Sequence, residues 1–142
     1  MKSQITLIHP SARIPVQKPG SIGYDVYSVE DSLISSNTEQ LIGLGIVVKP
    51  PEGYYTKLYA RSSTSFLLVK SVGIIEPNYC GKNDELKIKI FNHHDYDITI
   101  PKGNRIAQLV FEKIIDPVEF EIVNEAAITA QDRGGYGSTG TT

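Results

Sequence analysis

The amino-acid sequence predicts an all-β fold, and three observations carry that reading. Ile, Val and Thr together number 37, against 15 for Ala and Leu, and β-branched side chains suit a pleated surface better than a helix, where they lose rotamer freedom. Apolar and polar residues alternate in short runs separated by turn residues, the pattern of a sandwich or barrel of many short strands. No helical period competes over any long window. At 142 residues and 15.6 kDa, the chain has material for one core and too little for two.

Taken in order, the strand-like runs fall at residues 4–8, 24–29, 40–48, 54–60, 72–75, 85–91, 96–100, 105–114 and 118–123. Four of the gaps carry explicit turn chemistry. Pro50-Pro51-Glu52-Gly53, Gly81-Lys82-Asn83-Asp84, Asn92-His93-His94-Asp95 and Pro101-Lys102-Gly103-Asn104 each supply a residue preset for a turn or tolerant of positive φ. In the clearest strand, residues 85–91, Leu86, Ile88 and Ile90 share one face and Lys87, Lys89 and Phe91 the other, which gives a core side and a wetter side. Helix signals are confined to single turns over 62–68 and 124–130. Beyond Gln131 the composition turns to Arg, Gly, Tyr, Ser and Thr. Residues 1–130 therefore read as one β domain and 131–142 as a C-terminal arm without an apolar anchor.

Charge narrows the partners. With 14 Lys and Arg against 16 Asp and Glu, a formal charge of -2 and a pI near 5.9, there is no field that would favour long nucleic acids or an anionic membrane. A polyanion would have to be held by a local site. One cysteine, Cys80, excludes an intramolecular disulfide framework and a multi-cysteine zinc site. No stretch approaches the ~18 apolar residues of a membrane span, and Met1-Lys2-Ser3-Gln4 leads into a strand-like run. The expectation is a soluble, cytoplasmic protein.

Several constellations could carry chemistry. The tail Arg133-Gly134-Gly135-Tyr136-Gly137-Ser138-Thr139-Gly140 contains a formal G-x-G-x-x-G, but a dinucleotide fingerprint must link a strand to a helix, and two residues follow this one. The same tail combines a guanidinium, two hydroxyls, backbone donors and an aromatic face, the parts of a phosphate clamp with a stacking lid. Its plain alternative is a disordered Gly/Ser/Thr terminus. Arg61-Ser62-Ser63-Thr64 repeats the guanidinium-plus-hydroxyl recipe and reads equally as an ordinary turn. Asn92-His93-His94-Asp95 invites a metal reading, although adjacent side chains on a turn diverge, which favours a solvated turn. Asp25, Glu76, Asp84 and Asp116 all stand near strand ends or turns, and composition does not choose among them.

Order does choose. Gly23-Tyr24-Asp25-Val26-Tyr27, Tyr59-Ala60-Arg61-Ser62-Ser63, the stretch from Val72-Gly73-Ile74-Ile75-Glu76 through Pro77-Asn78-Tyr79-Cys80-Gly81, Gly103-Asn104-Arg105-Ile106-Ala107-Gln108-Leu109, and the tail from Arg133 to Gly140 resemble, in succession and approximate spacing, the five motifs of the trimeric dUTP pyrophosphatases (dUTPases). Gly81-Lys82-Asn83-Asp84 also resembles a short insertion after the third motif in one branch of that family. The resemblance implies a jelly-roll-type β-barrel, a homotrimer with active sites at subunit interfaces, and a C-terminal arm that crosses to close a neighbour's site. It implies hydrolysis of dUTP to dUMP and pyrophosphate, which limits uracil incorporation into DNA.

By the same resemblance, Asp25 helps order the metal-triphosphate region, Arg61, Ser62 and Ser63 bind phosphate, and Gln108 lies near the α-phosphate. Backbone of the hairpin, including Gly73 and Ile75, reads the uracil edge, and Tyr79 packs under the deoxyribose, leaving no room for a 2′-OH. Arg133, Gly137, Ser138 and Thr139 clamp the β- and γ-phosphates, and Tyr136 is the lid aromatic. Mg2+ is held mainly by the substrate phosphates and water rather than by protein ligands. Glu76 stands where the family's general base is Asp, Asn104 where Asp is usual, and Cys80 where Arg is frequent. The departure at Glu76 keeps open a catalytically impaired dUTP-binding relative. A second alternative, dCTP deaminase, requires a catalytic Glu where this chain has Lys89, which cannot serve as that proton acceptor.

Overall fold

The computed structural model describes residues 1–61, 68–69, 73–124 and 130–134. Within them the chain forms twelve strands and no helix: β1 Gln4–Leu7, β2 Val16–Gln17, β3 Tyr24–Tyr27, β4 Ser32–Ile34, β5 Glu39–Gly43, β6 Ile46–Lys49, β7 Tyr54–Ala60, β8 Leu68–Val69, β9 Gly73–Ile75, β10 Lys87–Phe91, β11 Ile98–Ile100 and β12 Arg105–Lys113. Of the helical turns expected over 62–68 and 124–130, Leu68 falls instead in strand β8 and residues 124 and 130 carry no helix; the remaining positions lie outside the described residues.

All the pairings are antiparallel. β3 pairs with β12, β4 with β11 and β5 with β10, three nested pairs that fold the chain back on itself as a jelly roll does. The largest sheet runs β2-β3-β12-β7-β9, and three smaller sheets run β5-β10-β8, β1-β6 and β11-β4. This is the all-β, jelly-roll-type architecture expected from the sequence.

The core follows from the alternation. Leu86, Ile88 and Ile90 are buried while Lys87 and Lys89 are exposed, so the two faces of β10 divide as read. They pack with Ile34, Ile42, Leu44, Ile46, Leu58, Ile106 and Leu109 into one cluster. Each such side chain, fully buried, contributes about 1.5–3 kcal/mol.

Two runs depart from expectation. Residues 40–48 form two strands because the chain turns at Leu44 and Gly45. Gly45 has φ +68°, and a Cβ there would collide with Val29, His9 and Ala12, so only glycine fits. Residues 118–123 alternate like a strand, yet Val118, Phe120 and Ile122 are exposed and no strand forms after β12 among the described residues. Alternation shows a segment able to pair; it does not supply the partner. The short β2, β4 and β8 leave no mark in the sequence pattern because two or three residues carry little periodicity.

Candidate active site

Two clefts gather the candidate residues. The first, of about 180 Å³, is lined by Lys18, Ser21, Gly23, Asp25, Arg61 and Gln108. Register places Asp25 of β3 opposite Gln108 of β12, which in turn lies opposite Tyr59 of β7. Arg61, one residue past β7, therefore reaches Asp25 from two strands away, across β12. Its Nε stands 3.0 Å from Asp25 Oδ1, while Arg105 and Lys18 approach Oδ2 at 3.6 and 4.0 Å. An Arg61 terminal nitrogen also donates to the Arg105 carbonyl at 3.1 Å. Three cations around one carboxylate leave two positive charges in excess, a cleft suited to an anion.

Gln108 is positioned by its neighbours. Its amide nitrogen donates to the Ala60 carbonyl at 3.2 Å, and its carboxamide oxygen lies where a Cβ on residue 23 would be. Gly23 is thus a requirement of the Gln108 rotamer. This role, and the participation of Lys18, Ser21 and Arg105, were not assigned from sequence. The usable signal was register, since an Asp on one strand facing a Gln on the next brings in whatever cations flank both.

The second cleft, about 710 Å³, lies along the hairpin and is lined by Leu41, Leu58, residues 73–76, Asn78, Tyr79 and residues 85–87. β9 pairs with β7, Gly73 opposite Leu58 and Ile75 opposite Thr56. The chain then turns, with the Tyr79 amide donating to the Glu76 carbonyl at 2.9 Å. A Cβ on Gly73 would meet nothing within 4 Å, leaving the backbone open to close approach from the cleft. Glu76 is exposed at the rim. The Tyr79 hydroxyl donates to the Glu85 carbonyl at 3.3 Å.

Of the four carboxylates left open by composition, these clefts contain Asp25 and Glu76. The Asp84 carboxylate accepts the Gly81 amide at 2.8 Å and closes the turn that follows Cys80, and Asp116 lies on the exposed segment after β12. In the histidine turn, His93 and Asp95 are exposed as expected, but Asn92 is buried. Its amide nitrogen donates to the carbonyls of Ile34 at 3.0 Å and Tyr96 at 2.8 Å, and its oxygen accepts the His94 amide at 3.0 Å. Among the described residues no group of three His, Cys, Asp or Glu could hold a metal. Arg133 is described and exposed; Ser62, Ser63, Tyr136, Gly137, Ser138 and Thr139 lie outside the described residues.

The dUTPase family model matches residues 10–140. The chain belongs to the dUTPase family. It is 40% identical over 123 residues to the deoxyuridine 5'-triphosphate nucleotidohydrolase of Debaryomyces hansenii, a match spanning 84% of this chain and 75% of that protein. In structure it is similar to the dUTPase of Staphylococcus bacteriophage 80alpha solved with dUPNHPP, at 27% identity and a TM-score of 0.80, over 99% of each chain. A mutant dUTPase from phage phi11 of S. aureus, described as coordinating a structural Mg(II) ion, is similar in fold at 24% identity and a TM-score of 0.75, over 88% of this chain and 99% of that one. For a dUTPase-family chain, the cationic cleft holds members of the first, second and fourth motifs and the hairpin cleft holds the third. Lys89, the residue that weighed against a deaminase, lines neither cleft and stands 3.8 Å from Glu39.

Proposed function

We propose that this protein hydrolyses dUTP to dUMP and pyrophosphate, with Asp25, Arg61 and Gln108 serving the triphosphate and the 73–79 hairpin serving the nucleoside. The observation that carries the reading is the pairing of an anion-binding cleft with a hairpin cleft whose backbone is open at Gly73 and whose floor holds a tethered tyrosine. Mg2+ fits the cationic cleft only as a companion of the substrate. One carboxylate among three cations is a poor cage for a divalent ion, whereas a triphosphate brings its own oxygen ligands. Bound there, the ion would neutralise charge developing on the leaving pyrophosphate. Arg61 and Gln108 orient the chain for in-line attack. Glu76 takes a proton from the attacking water, and the 131–142 arm, through Arg133 and the residues after it, closes over the phosphates.

The homotrimer belongs to the same proposal. The cationic and hairpin clefts are separate in one chain, and in this proposal each site takes one cleft from each of two chains. Ile115, Val118, Phe120 and Ile122 are exposed, an apolar segment suited to burial against another copy. A reducing, cytoplasmic setting accompanies this reading, supported by the free thiol of Cys80.

One assay decides the main claim. With Mg2+ present, pyrophosphate release from dUTP should far exceed that from dCTP, dTTP or UTP. Tight dUTP binding without release would establish the impaired-relative alternative that Glu76 keeps open, and equal turnover of UTP would refute the substrate assignment.

A further inference from the structure

Tyr79 is 41% exposed, so packing alone does not hold its ring. Its tether is the hydrogen bond from its hydroxyl to the carbonyl of Glu85 at 3.3 Å. Residue 85 is in turn held by its own side chain. The Glu85 carboxylate passes beside Gly43, where a Cβ would crowd it, and accepts the Gly45 amide at 2.9 Å. The next residue is stitched to the same turn, with Leu44 N–H donating to the Leu86 carbonyl at 3.0 Å and Leu86 N–H to the Ile46 carbonyl at 2.8 Å. Gly43 thus makes room for the carboxylate and Gly45 donates to it, and that carboxylate fixes the acceptor on which the tyrosine hydroxyl rests.

We propose that Glu85 is a positioning residue for sugar selectivity, acting through Tyr79. The inference rests on the dUTP reading above, in which the Tyr79 ring is the wall that rejects a 2′-OH. A wall rejects an extra hydroxyl only if it stays in place. Displacement of the ring by an ångström would open that space without disturbing any group that touches phosphate. The carboxylate's contribution is as a hydrogen-bond acceptor, so a carboxamide oxygen at the same position should serve equally.

The test measures kcat/KM for dUTP and for UTP in Glu85→Ala, Glu85→Gln and Tyr79→Phe, with thermal melting of each variant as the check on folding. Glu85→Ala and Tyr79→Phe should each lower the dUTP/UTP ratio by about tenfold, the scale on which modest misplacement of a recognition group is felt. Glu85→Gln should restore the ratio. A pair that acts through one tether should also be non-additive, the double variant losing little more than either single one. An unchanged ratio in folded Glu85→Ala overturns the proposal, as does Glu85→Gln behaving like Glu85→Ala. If Glu85→Ala does not fold, Tyr79→Phe decides, and an unchanged ratio there overturns it. Failure of the unaltered protein to prefer dUTP over UTP sinks the substrate reading instead, which keeps the two failures distinct.

Discussion

The cationic cleft is built from charged side chains on or beside β3, β7 and β12, the middle of the largest sheet. The hairpin cleft is built from backbone and a tethered ring beyond β9, at that sheet's edge. In the first, the flanking ladders hold Asp25 and Gln108 in place, and Arg61 is clasped at both ends by Asp25 and the Arg105 carbonyl. In the second, geometry depends on a few single hydrogen bonds, such as Tyr79 N–H to Glu76 and Tyr79 hydroxyl to Glu85. Charge needs little precision to attract a triphosphate, but rejecting one hydroxyl or moving one proton needs much. The two regions should therefore fail differently when altered.

The largest difference should appear between Glu76→Gln and Arg61→Ala. Loss of a general base costs ~10²-fold or more in kcat; Glu76→Gln should show this with little change in dUTP affinity, whereas Arg61→Ala should act mainly through weaker nucleotide binding. Glu76 carries one more methylene than the Asp usual at this place, so its side chain poses a problem of reach. Mixing the two impaired variants, at a dUTP concentration where neither alone turns over appreciably, sharpens the comparison. If each site draws its two clefts from different chains, randomly assembled trimers regain roughly a quarter of the sites. No recovery in verified mixed trimers would show that both clefts serve from one chain, and near-normal turnover in Glu76→Gln would transfer the base to another group.

The two regions also differed in how far the sequence disclosed them. The alternation of Leu86, Ile88 and Ile90 was enough to orient β10, because a half-buried strand writes its two faces directly into the chain. The split at Gly45 is hidden, since a left-handed turn between two runs rich in Leu, Ile and Val leaves the apolar pattern unbroken. Asp25 and Glu76 were named through the order of motifs, and the structure adds what order does not contain. Arg105 meets Asp25 only because β3 pairs with β12, and no local pattern encodes a pairing between such distant segments; Lys18, one residue past β2, arrives through the β2–β3 pairing. Glu85 carries no local signal for the same reason, its partner Gly45 lying on a different turn.

Two glycines give the next, smaller test. Gly23→Ala places a methyl group where the Gln108 oxygen lies, so Gln108 must rotate away. About tenfold should be lost in kcat/KM for dUTP, with Tm little changed, as expected for a displaced positioning group. Gly73→Ala meets nothing within the chain; its Tm should be unchanged and its KM for dUTP should rise by only about threefold, the cost of one methyl against a close-approaching base. If Gly23→Ala matches the unaltered enzyme, the Gln108 rotamer seen here is not the working one. If Gly73→Ala leaves KM unmoved, the nucleobase does not approach that backbone.

The smallest effect concerns charges on the same strand as Gln108 that line neither cleft. Glu112 accepts the Tyr55 hydroxyl at 2.8 Å and pairs with Lys57 at 3.1 Å. The hydrogen bond from Tyr55, followed by that from Lys57, holds the Glu112 carboxyl below its ordinary 4.5, and the bond to Glu112 pushes Lys57 up from 10.5 to about 12. A depressed carboxyl stabilises the fold above its unfolded pKa, and that contribution is lost as pH falls through the folded value. A raised lysine contributes fully below 10.5 and loses its share as pH rises through about 12. The cluster is therefore intact across the whole neutral range. Both side chains are partly exposed, so water and salt screen the pair. Glu112→Gln should lower Tm by at most ~2 °C at neutral pH, with the deficit vanishing in acid where the native carboxyl is itself protonated, and shrinking in high salt. Turnover of dUTP should not change. A marked loss of activity in Glu112→Gln would mean that this outer face of β7 and β12 takes part in assembling the site, and the division between a working cationic cleft and a merely structural charge cluster would have to be redrawn.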